Sequence, residues 1–257
     1  METKPDSGRK AQADAQAAGI ATGHIILGLV LSLLSVGVFA LVWEQVEDKS
    51  HLATGFDRAV LFWLWHHQVP WITTVAKGLA WMGSPPVIVS MAAIGAVLGL
   101  FWRRVRGAAW TLPLAVLGAG VIIQGIKMEF RRPRPTFFSP LLHESGYSFP
   151  SGHSLIAIVV YGLLGYFALH LVKGHAARLA VRVITVLLVI AIGVSRPYVQ
   201  VHYPTDVLAG WTAGFPWLLT CIWLHEVLSR HFRKAGEPIL PDVPKSPIAQ
   251  AVTGKDT

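Results

Sequence analysis

The feature that most constrains this chain is a series of long apolar runs that lack charged side chains. The first run, residues 23–42, contains no Asp, Glu, Lys or Arg, and as a helix it is long enough to cross a hydrocarbon core of ~30 Å. It is too long for a signal-peptide core, and its flanks lack a convincing small-residue cleavage site. Only 14% of the residues are charged, against ~25% in ordinary soluble domains. The sequence therefore predicts an integral membrane protein.

The apolar runs predict an all-α fold, a bundle of six transmembrane helices. The predicted spans are residues 23–42, 86–102, 108–126, 154–172, 183–194 with flanks, and 207–228. Residues 56–67 cover only ~18 Å as a helix, so we expect an amphipathic helix that lies at the membrane interface. We expect residues 23–234 to form one membrane domain, and the polar segments 1–22 and 235–257 to be flexible cytoplasmic tails.

The distribution of Lys and Arg predicts the orientation of the bundle. In the six-span arrangement, 14 of the 22 basic residues lie on the side of the two termini: Lys4, Arg9, Lys10, Arg103, Arg104, Arg106, Lys173, Arg178, Arg182, Arg230, Arg233, Lys234, Lys245 and Lys255. Because cytoplasmic loops are enriched in basic residues, we expect both termini in the cytoplasm and the protein in the cytoplasmic (inner) membrane. The other side still carries a cluster of cations, which this rule disfavours and which calls for a functional explanation.

Three cations of that cluster suggest a phosphate site. Lys127, Arg134 and Arg196 would stand together at one membrane face, which is costly unless a multivalent anion binds there. An arginine can hold phosphate oxygens with two parallel hydrogen bonds, whereas a lysine acts as a point charge. Ser151 has the side chain of a helix N-cap, and Gly152 lets a ligand approach the backbone. The N-terminus of the fourth span would then point at the same anion.

Two imidazoles and a carboxylate complete the pattern. His153 and His202 supply the pair that covalent phosphoryl transfer needs, one to attack phosphorus and one to protonate the leaving oxygen. Asp206, four residues after His202, can fix the ring tautomer and stabilise an imidazolium. No Cys/His or acidic set with metal-ligand spacing accompanies them, so we expect no metal and no cofactor, with Arg and Lys meeting the phosphate charge.

These residues make the sequence resemble the type 2 phosphatidic acid phosphatase family. The family pattern is Lys-x6-Arg-Pro, Pro-Ser-Gly-His and Ser-Arg-x5-His-x3-Asp, and every fixed position is present, from Lys127 to Asp206. The resemblance implies a metal-independent phosphatase of the bacterial membrane branch. It implies that His202 is the nucleophile that becomes phosphohistidine, that Asp206 is its partner and that His153 is the general acid. It also implies a phosphate-binding set of Lys127, Arg134, Ser151, Gly152 and Arg196.

Simpler explanations exist for single residues. Lys127, Arg131 and Arg132 could each be an interfacial anchor with a snorkelling side chain, but that explanation does not account for the clustering on the disfavoured side. His143 lies in a connection where it could contact substrate or simply be exposed. Glu144, close to the motifs, could moderate the charge of the site, and we assign it no catalytic step.

We therefore expect an enzyme that removes phosphate from a lipid phosphate or pyrophosphate at the periplasmic or extracellular side of the membrane. Undecaprenyl pyrophosphate, phosphatidylglycerol phosphate and phosphatidic acid all fit, because the motifs contact only phosphate. One alternative is a lipid phosphotransferase that uses the same intermediate. Another is a non-catalytic anion transporter or lipid-binding protein, which would need the cations without the paired histidines. The expected partners are lipid and bilayer, without nucleic acid; the sequence predicts no oligomeric state.

Overall fold

The computed structural model describes residues 7–48, 53–102 and 105–234. Over these ranges the chain forms eight helices and no strand, which confirms the all-α fold. The helices are α1 (Ser7–Asp48), α2 (Gly55–His66), α3 (Pro70–Met82), α4 (Pro85–Phe101), α5 (Ala108–Phe130), α6 (Gly152–Leu171), α7 (His175–Tyr198) and α8 (Pro204–Lys234).

The length and hydropathy of the helices confirm a multi-pass membrane protein. Five segments are long and apolar enough to cross a bilayer: Ile26–Glu47 in α1, Pro204–Ser229 in α8, and the whole of α5, α6 and α7. Helices α3 and α4 are bent by 55° relative to each other and form a sixth candidate when the pair is taken as one broken span. The predicted number of six spans is reached in that case.

Helix α3 is an element that the sequence analysis did not predict. Pro70 occupies its first turn, where the missing N–H is not needed, and Gly83 ends it. Two prolines, Pro85 and Pro86, then begin α4, because proline is tolerated in a first turn but breaks a helix interior. The stretch is thus two helices with a break at Gly83 and Ser84, where the sequence suggested a connection followed by a straight span.

The N-terminal segment also differs from expectation. Helix α1 begins at Ser7, so it extends into residues 1–22, which we expected to be a flexible tail. Residues 7–22 contain six alanines, and alanine is the strongest helix former. The predicted tail of residues 235–257 lies outside the described residues, and the limits of the membrane domain stay a prediction.

The predicted interfacial helix is α2, and its buried face is unusual. Thr54 and Asp57 form a capping box at its start, each side chain accepting a hydrogen bond of 3.1 Å from the other's backbone N–H. Asp57 and Leu61 face the protein and are fully buried, whereas Phe56 and Trp63 are exposed. A carboxylate therefore stands at the centre of the inward face. The position of α2 at the membrane interface stays a prediction.

Helix α6 lies at the centre of the bundle, with α4, α5, α7 and α8 packed around it. Two glycines let α8 approach it closely: a Cβ on Gly210 would lie 2.6 Å from the carbonyl oxygen of Ser151, and one on Gly214 would lie 2.9 Å from that of Leu155. Such a pair of small residues four positions apart permits backbone contact between membrane helices. The pair sets the N-terminal end of α8 directly beside that of α6.

The predicted orientation can be tested by labelling cysteines at the two ends of α6. His143 precedes this helix and Lys173 follows it, and both are exposed. We expect His143→Cys to react with a membrane-impermeant thiol reagent in intact cells, after the outer membrane is made permeable if there is one. Lys173→Cys should react only after lysis. The parent chain is the control, because its Cys221 is buried. Labelling of Lys173→Cys alone in intact cells would reverse the topology.

Candidate active site

The three predicted motifs meet at one end of the bundle, where α5 and α7 end and where α6 and α8 begin. The structure brings together all eight residues that the sequence analysis selected. They are Lys127 of α5, Arg134 and Ser151 of the connection that follows it, Gly152 and His153 of α6, Arg196 of α7, His202, and Asp206 of α8. Their contacts show how the arrangement is held and what it can do.

The buried imidazole of His202 lies between a carboxylate and a guanidinium. Its Nδ1 is 3.3 Å from Oδ2 of Asp206, and its Nε2 is 3.2 Å from Nη1 of Arg134. Because a carboxylate only accepts hydrogen bonds, Nδ1 carries the ring proton and Nε2 keeps its lone pair. Burial holds the pKa of His202 well below its ordinary value, and the charges of Arg196, Arg134 and Lys127 lower it further. At neutral pH the ring is therefore uncharged.

Asp206 is oriented by the first turn of α8. Its Oδ2 accepts a hydrogen bond of 2.9 Å from the backbone N–H of Tyr203, in addition to the contact with His202. Its carbonyl oxygen accepts one of 2.9 Å from the N–H of Ser151. Because both carboxylate and backbone are bonded, the His202–Asp206 pair is locked to the start of α6.

Arg132 is not an interfacial anchor, contrary to one of the simpler explanations. Its side chain is fully buried, with Nη1 2.5 Å from Oδ1 of Asp206 and Nη2 2.8 Å from Oδ2 of Asp57. Arg131 has a left-handed backbone, with φ of 45°, and is exposed. The chain turns at that residue, and of the two adjacent arginines the first is exposed and the second is buried. The sequence did not point to Arg132 or Asp57 as site residues. Arg132 connects Asp206 to Asp57, which lies 149 positions earlier in the chain, and local spacing does not show such a contact.

Two of the predicted phosphate-binding cations also hold the connection between α5 and α6 in place. Arg134 donates to the carbonyl oxygens of Val201, Ser145 and Gly146 at 2.9, 3.0 and 3.2 Å. Lys127 donates to that of Tyr147 at 2.6 Å. Burial lowers the pKa of the Arg134 guanidinium, and Glu144 and Asp206 partly counter this effect. These bonds fold residues 144–147 over the site.

The carboxylate of Glu144 stands among the groups that are predicted to bind phosphate. Its Oε1 is 2.6 Å from Nη2 of Arg196 and 3.9 Å from Nε2 of His153, and its Oε2 is 3.5 Å from Nη2 of Arg134. Burial raises the pKa of Glu144, but the charges of Arg196, His153 and Arg134 outweigh burial and leave it below its ordinary value. Glu144 is thus an internal anion in the site, which agrees with the expectation that it moderates the charge there.

The first turn of α6 has room for a ligand. Ser151 is the N-cap, as the sequence predicts, and its hydroxyl oxygen accepts a hydrogen bond of 3.4 Å from the N–H of Ser154. The N–H groups of Gly152 and His153 have no acceptor within the helix, because they belong to its first turn. A Cβ on Gly152 would make only an ordinary contact of 3.5 Å with Ile123. Packing therefore does not require a glycine there, whereas close approach of an anion does.

His153 rests against the break between α3 and α4. A Cβ on Gly83 would lie 3.0 Å from Cδ2 of His153 and 2.7 Å from a methyl carbon of Ile192. The hydroxyl of Tyr161, two turns along α6, donates to the carbonyl oxygen of Met82 at 2.8 Å. Glycine at position 83 thus lets the break between α3 and α4 pack directly against the imidazole of His153.

The chemistry of the site is that of cations and imidazoles. Among the residues that the structure describes, no group of three or more His, Cys, Asp or Glu side chains could hold a metal ion. Nε of Arg196 is buried and has no hydrogen-bond partner within the part of the chain that the structure describes. Such a donor needs an acceptor, and a phosphate oxygen is of the matching type. The arrangement can hold a phosphate beside an unprotonated His202 nitrogen.

Comparisons with known proteins show a family and several relatives. A family model described as the PAP2 superfamily matches residues 108–230. Phosphatidylglycerophosphatase B of Bacillus subtilis (strain 168) is 34% identical over 147 residues, which is 56% of this chain and 71% of that protein. Probable lipid phosphate phosphatase 4 of Arabidopsis thaliana is 31% identical over 144 residues, 42% of this chain and 47% of that protein.

Solved structures are similar as well. The crystal structure of a transmembrane PAP2 type phosphatidylglycerolphosphate phosphatase from Bacillus subtilis superposes with a TM-score of 0.66 and 27% identity, covering 79% of this chain and 98% of that one. LpxE of Aquifex aeolicus superposes with a TM-score of 0.51 and 24% identity, covering 64% and 93% of the two chains, and supports the fold alone.

The fold and the relatives define a multi-pass membrane lipid phosphatase. The chain belongs to the PAP2 superfamily. Its relatives confirm the class of function that the sequence predicts, a membrane lipid phosphatase.

Removal of the internal anion is expected to strengthen phosphate binding. Glu144→Gln keeps the shape of the side chain but leaves Arg196 and Arg134 without their carboxylate. We expect inorganic phosphate to inhibit the variant roughly tenfold more tightly, because phosphate no longer competes with a bound anion. The measurement is the inhibition constant of phosphate, with the exposed Glu129→Gln as the matched control. An unchanged or higher inhibition constant in folded Glu144→Gln would contradict this role.

Proposed function

We propose that this protein hydrolyses a lipid phosphomonoester in two steps through a phosphohistidine on His202. In the first step Nε2 of His202 attacks phosphorus, the bond to the lipid oxygen breaks, and His153 gives that oxygen a proton. In the second step His153 takes a proton from water, the water oxygen attacks phosphorus, and the bond to His202 breaks. Asp206 holds the ring tautomer and stabilises the positive charge that the ring acquires.

One observation carries the proposal, which is the environment of the two ring nitrogens of His202. Nδ1 meets the Asp206 carboxylate and Nε2 meets the Arg134 guanidinium. The unprotonated nitrogen thus faces a group that also attracts phosphate oxygens. A phosphate held by this cation would lie close to the nitrogen that is proposed to attack it, which supports the assignment of His202 as the nucleophile.

Phosphate binding is assigned to Lys127, Arg134, Arg196 and the start of α6 at Ser151 and Gly152. The contacts of Glu144 support this assignment, because its carboxylate oxygens already lie within 2.6 to 3.5 Å of two guanidinium groups. A phosphate that replaced this carboxylate would meet the same donors, and the unpartnered Nε of Arg196 would supply one more.

Phosphatidylglycerol phosphate is the first substrate to test. A relative with 34% identity is a phosphatidylglycerophosphatase, and a structure with 27% identity is described as a phosphatidylglycerolphosphate phosphatase. Phosphatidic acid and undecaprenyl pyrophosphate remain in the panel, because the site residues address phosphate and not the rest of the lipid.

The aromatic side chains near the site suit a headgroup held at the membrane surface. Phe138 stacks on Trp65 of α2, with ring centroids 4.6 Å apart and an interplanar angle of 8°. Phe137 and Tyr147 are exposed in the same connection. Aromatic rings prefer the interface between lipid and water. We infer from this belt and from the charge distribution that the site lies at the periplasmic or extracellular face, with both termini cytoplasmic.

A lipid phosphotransferase is the second candidate, because it would use the same phosphohistidine and a hydroxyl in place of water. The substrate panel is therefore assayed with and without acceptor lipids. Release of inorganic phosphate without an acceptor supports the hydrolase, and a strict need for an acceptor supports the transferase.

The proposed nucleophile is tested with His202→Gln, which approximates the volume of this buried ring. We expect the loss of a base-stable, acid-labile phosphoenzyme and a fall in turnover of roughly a thousandfold or more. The assay uses phosphate-labelled lipid in the presence of a chelator. The control is the exposed His143→Gln, which should keep both signals. A folded His202→Gln protein that still forms the phosphoenzyme would exclude His202 as the attacking residue.

The proposed general acid is tested with His153→Ala on two substrates. A lipid alkyl phosphate has a poor leaving group that needs the proton, whereas an activated aryl phosphate does not. We expect the loss in kcat/KM to be roughly a hundredfold larger for the alkyl substrate. Equal losses for both substrates would mean that His153 binds phosphate and donates no proton.

A further inference from the structure

Asp57 is a buried carboxylate that the proposed mechanism does not use. It lies on the inward face of α2 and is fully buried. Besides capping its own helix, its Oδ1 accepts a hydrogen bond of 3.0 Å from the N–H of Thr205, and its Oδ2 accepts one of 2.9 Å from the Thr205 hydroxyl. Oδ2 is also 2.8 Å from Nη2 of Arg132. One carboxylate thus joins the starts of α2 and α8 to the connection after α5.

Arg132 links this carboxylate to the one beside His202. Its Nη1 donates to Oδ1 of Asp206 at 2.5 Å and to the hydroxyl of Thr205 at 2.8 Å. Its guanidinium carbon lies 4.0 Å from the ring centroid of Tyr203. The line of contacts therefore runs from Asp57 through Arg132 to Asp206 and then to His202, with all four side chains buried.

The charges along this line determine how much negative charge reaches His202. One guanidinium lies between two carboxylates, so the three groups together carry a single net negative charge. If Arg132 met Asp206 alone, its positive charge would offset the carboxylate that stabilises a charged His202. Because Arg132 is shared with Asp57, part of that negative charge stays available to the ring. In a buried region such interactions are weakly screened.

We propose that Asp57 and Arg132 are positioning residues that set the charge and orientation with which Asp206 acts on His202. The proposal rests on the proposed function in one respect, that His202 is the nucleophile. Asp57 touches neither phosphate nor the reacting nitrogen. Its effect passes through Arg132, which fixes one oxygen of Asp206 while the other faces Nδ1 of His202.

Other charged groups also face His202 and remain constant in the test. They are Lys127 of α5, Arg134 of the connection after it, His153 of α6, Arg196 of α7 and Asp206 of α8. Because the variants described next leave all of these in place, a difference between variants reports the two positioning residues.

The test compares substitutions that remove charges of opposite sign. Arg132→Gln removes a positive charge, which favours protonated His202, so the acid limb of kcat/KM should move to higher pH. Asp57→Asn removes a negative charge and should move that limb to lower pH. A buried unit charge at this range gives a shift of about one pH unit. KM should change little beside kcat, because neither residue contacts substrate. If the two residues had a purely structural role, the acid limb would move in the same direction in both variants or would not move.

Matched controls and a double variant complete the design. Arg131→Gln and Glu129→Gln remove the same charges from exposed neighbours and should leave the limb unmoved. The double variant Asp57→Asn with Arg132→Gln leaves Asp206 as the one charged group of the three, so their net charge equals that of the parent. The acid limb should therefore return toward its position in the parent. If a single variant fails to fold, the double variant is expected to fold and to keep the parent profile. A double variant whose acid limb stays displaced from the parent's, in either direction, would overturn the proposal.

A direct titration of His202 separates this proposal from the proposed function. Histidines labelled for NMR are followed with pH in each folded variant, with the His202 signal assigned by its absence in His202→Gln. If the His202 pKa shifts in opposite directions in the two variants but the acid limb of kcat/KM does not shift with it, the positioning role of Asp57 and Arg132 is supported and His202 is rejected as the nucleophile. If the two variants shift both the His202 pKa and the acid limb in the same direction, or shift neither, the positioning role of Asp57 and Arg132 is rejected.

Discussion

The close approach of α8 to α6 is the constraint on which the site depends. Gly210 and Gly214 let the two backbones touch, and this contact places the His202–Asp206 turn beside the cap at Ser151. A single added methyl group at Gly210 would meet the Ser151 carbonyl oxygen at 2.6 Å and force the helix ends apart. Because catalytic groups tolerate only displacements well below 1 Å, helix packing several residues away determines the geometry of the proposed catalytic groups.

Charge balance is the second requirement, and it acts in two separate layers. Near the phosphate position, Glu144 lies against Arg134 and Arg196. Deeper in the protein, Asp57 and Asp206 lie against Arg132. A buried cation without such a partner would be strongly destabilising. The layers differ in exposure: Glu144 is partly exposed, and the three deeper groups are fully buried. A substrate can therefore reach the outer carboxylate while the inner set stays fixed.

The sequence predicted what is encoded locally and missed what depends on long-range contacts. The helical class and the motif residues could be predicted, because hydropathy and short spacings specify them. Helix α3 was missed because a short apolar stretch that ends at Gly83 and prolines reads as a connection. Arg132 looked like Arg131 in the sequence, and the left-handed backbone at Arg131 separates an exposed residue from a buried one. Asp57 meets Thr205 across 148 positions, and no local pattern encodes such a contact.

The position of Glu144 has a consequence for the whole catalytic cycle. In the proposed reaction, substrate enters as one anion displaces another, and phosphate leaves when the carboxylate returns. Arg134 and Arg196 would then have an anionic partner at every stage of the cycle, either the Glu144 carboxylate or a phosphate. Because Glu144 lies against two of the cations that are proposed to hold phosphate, it would oppose the binding of substrate and of product phosphate. Its effect is on binding: fewer encounters with a lipid phosphate lead to a bound complex, and product phosphate dissociates sooner.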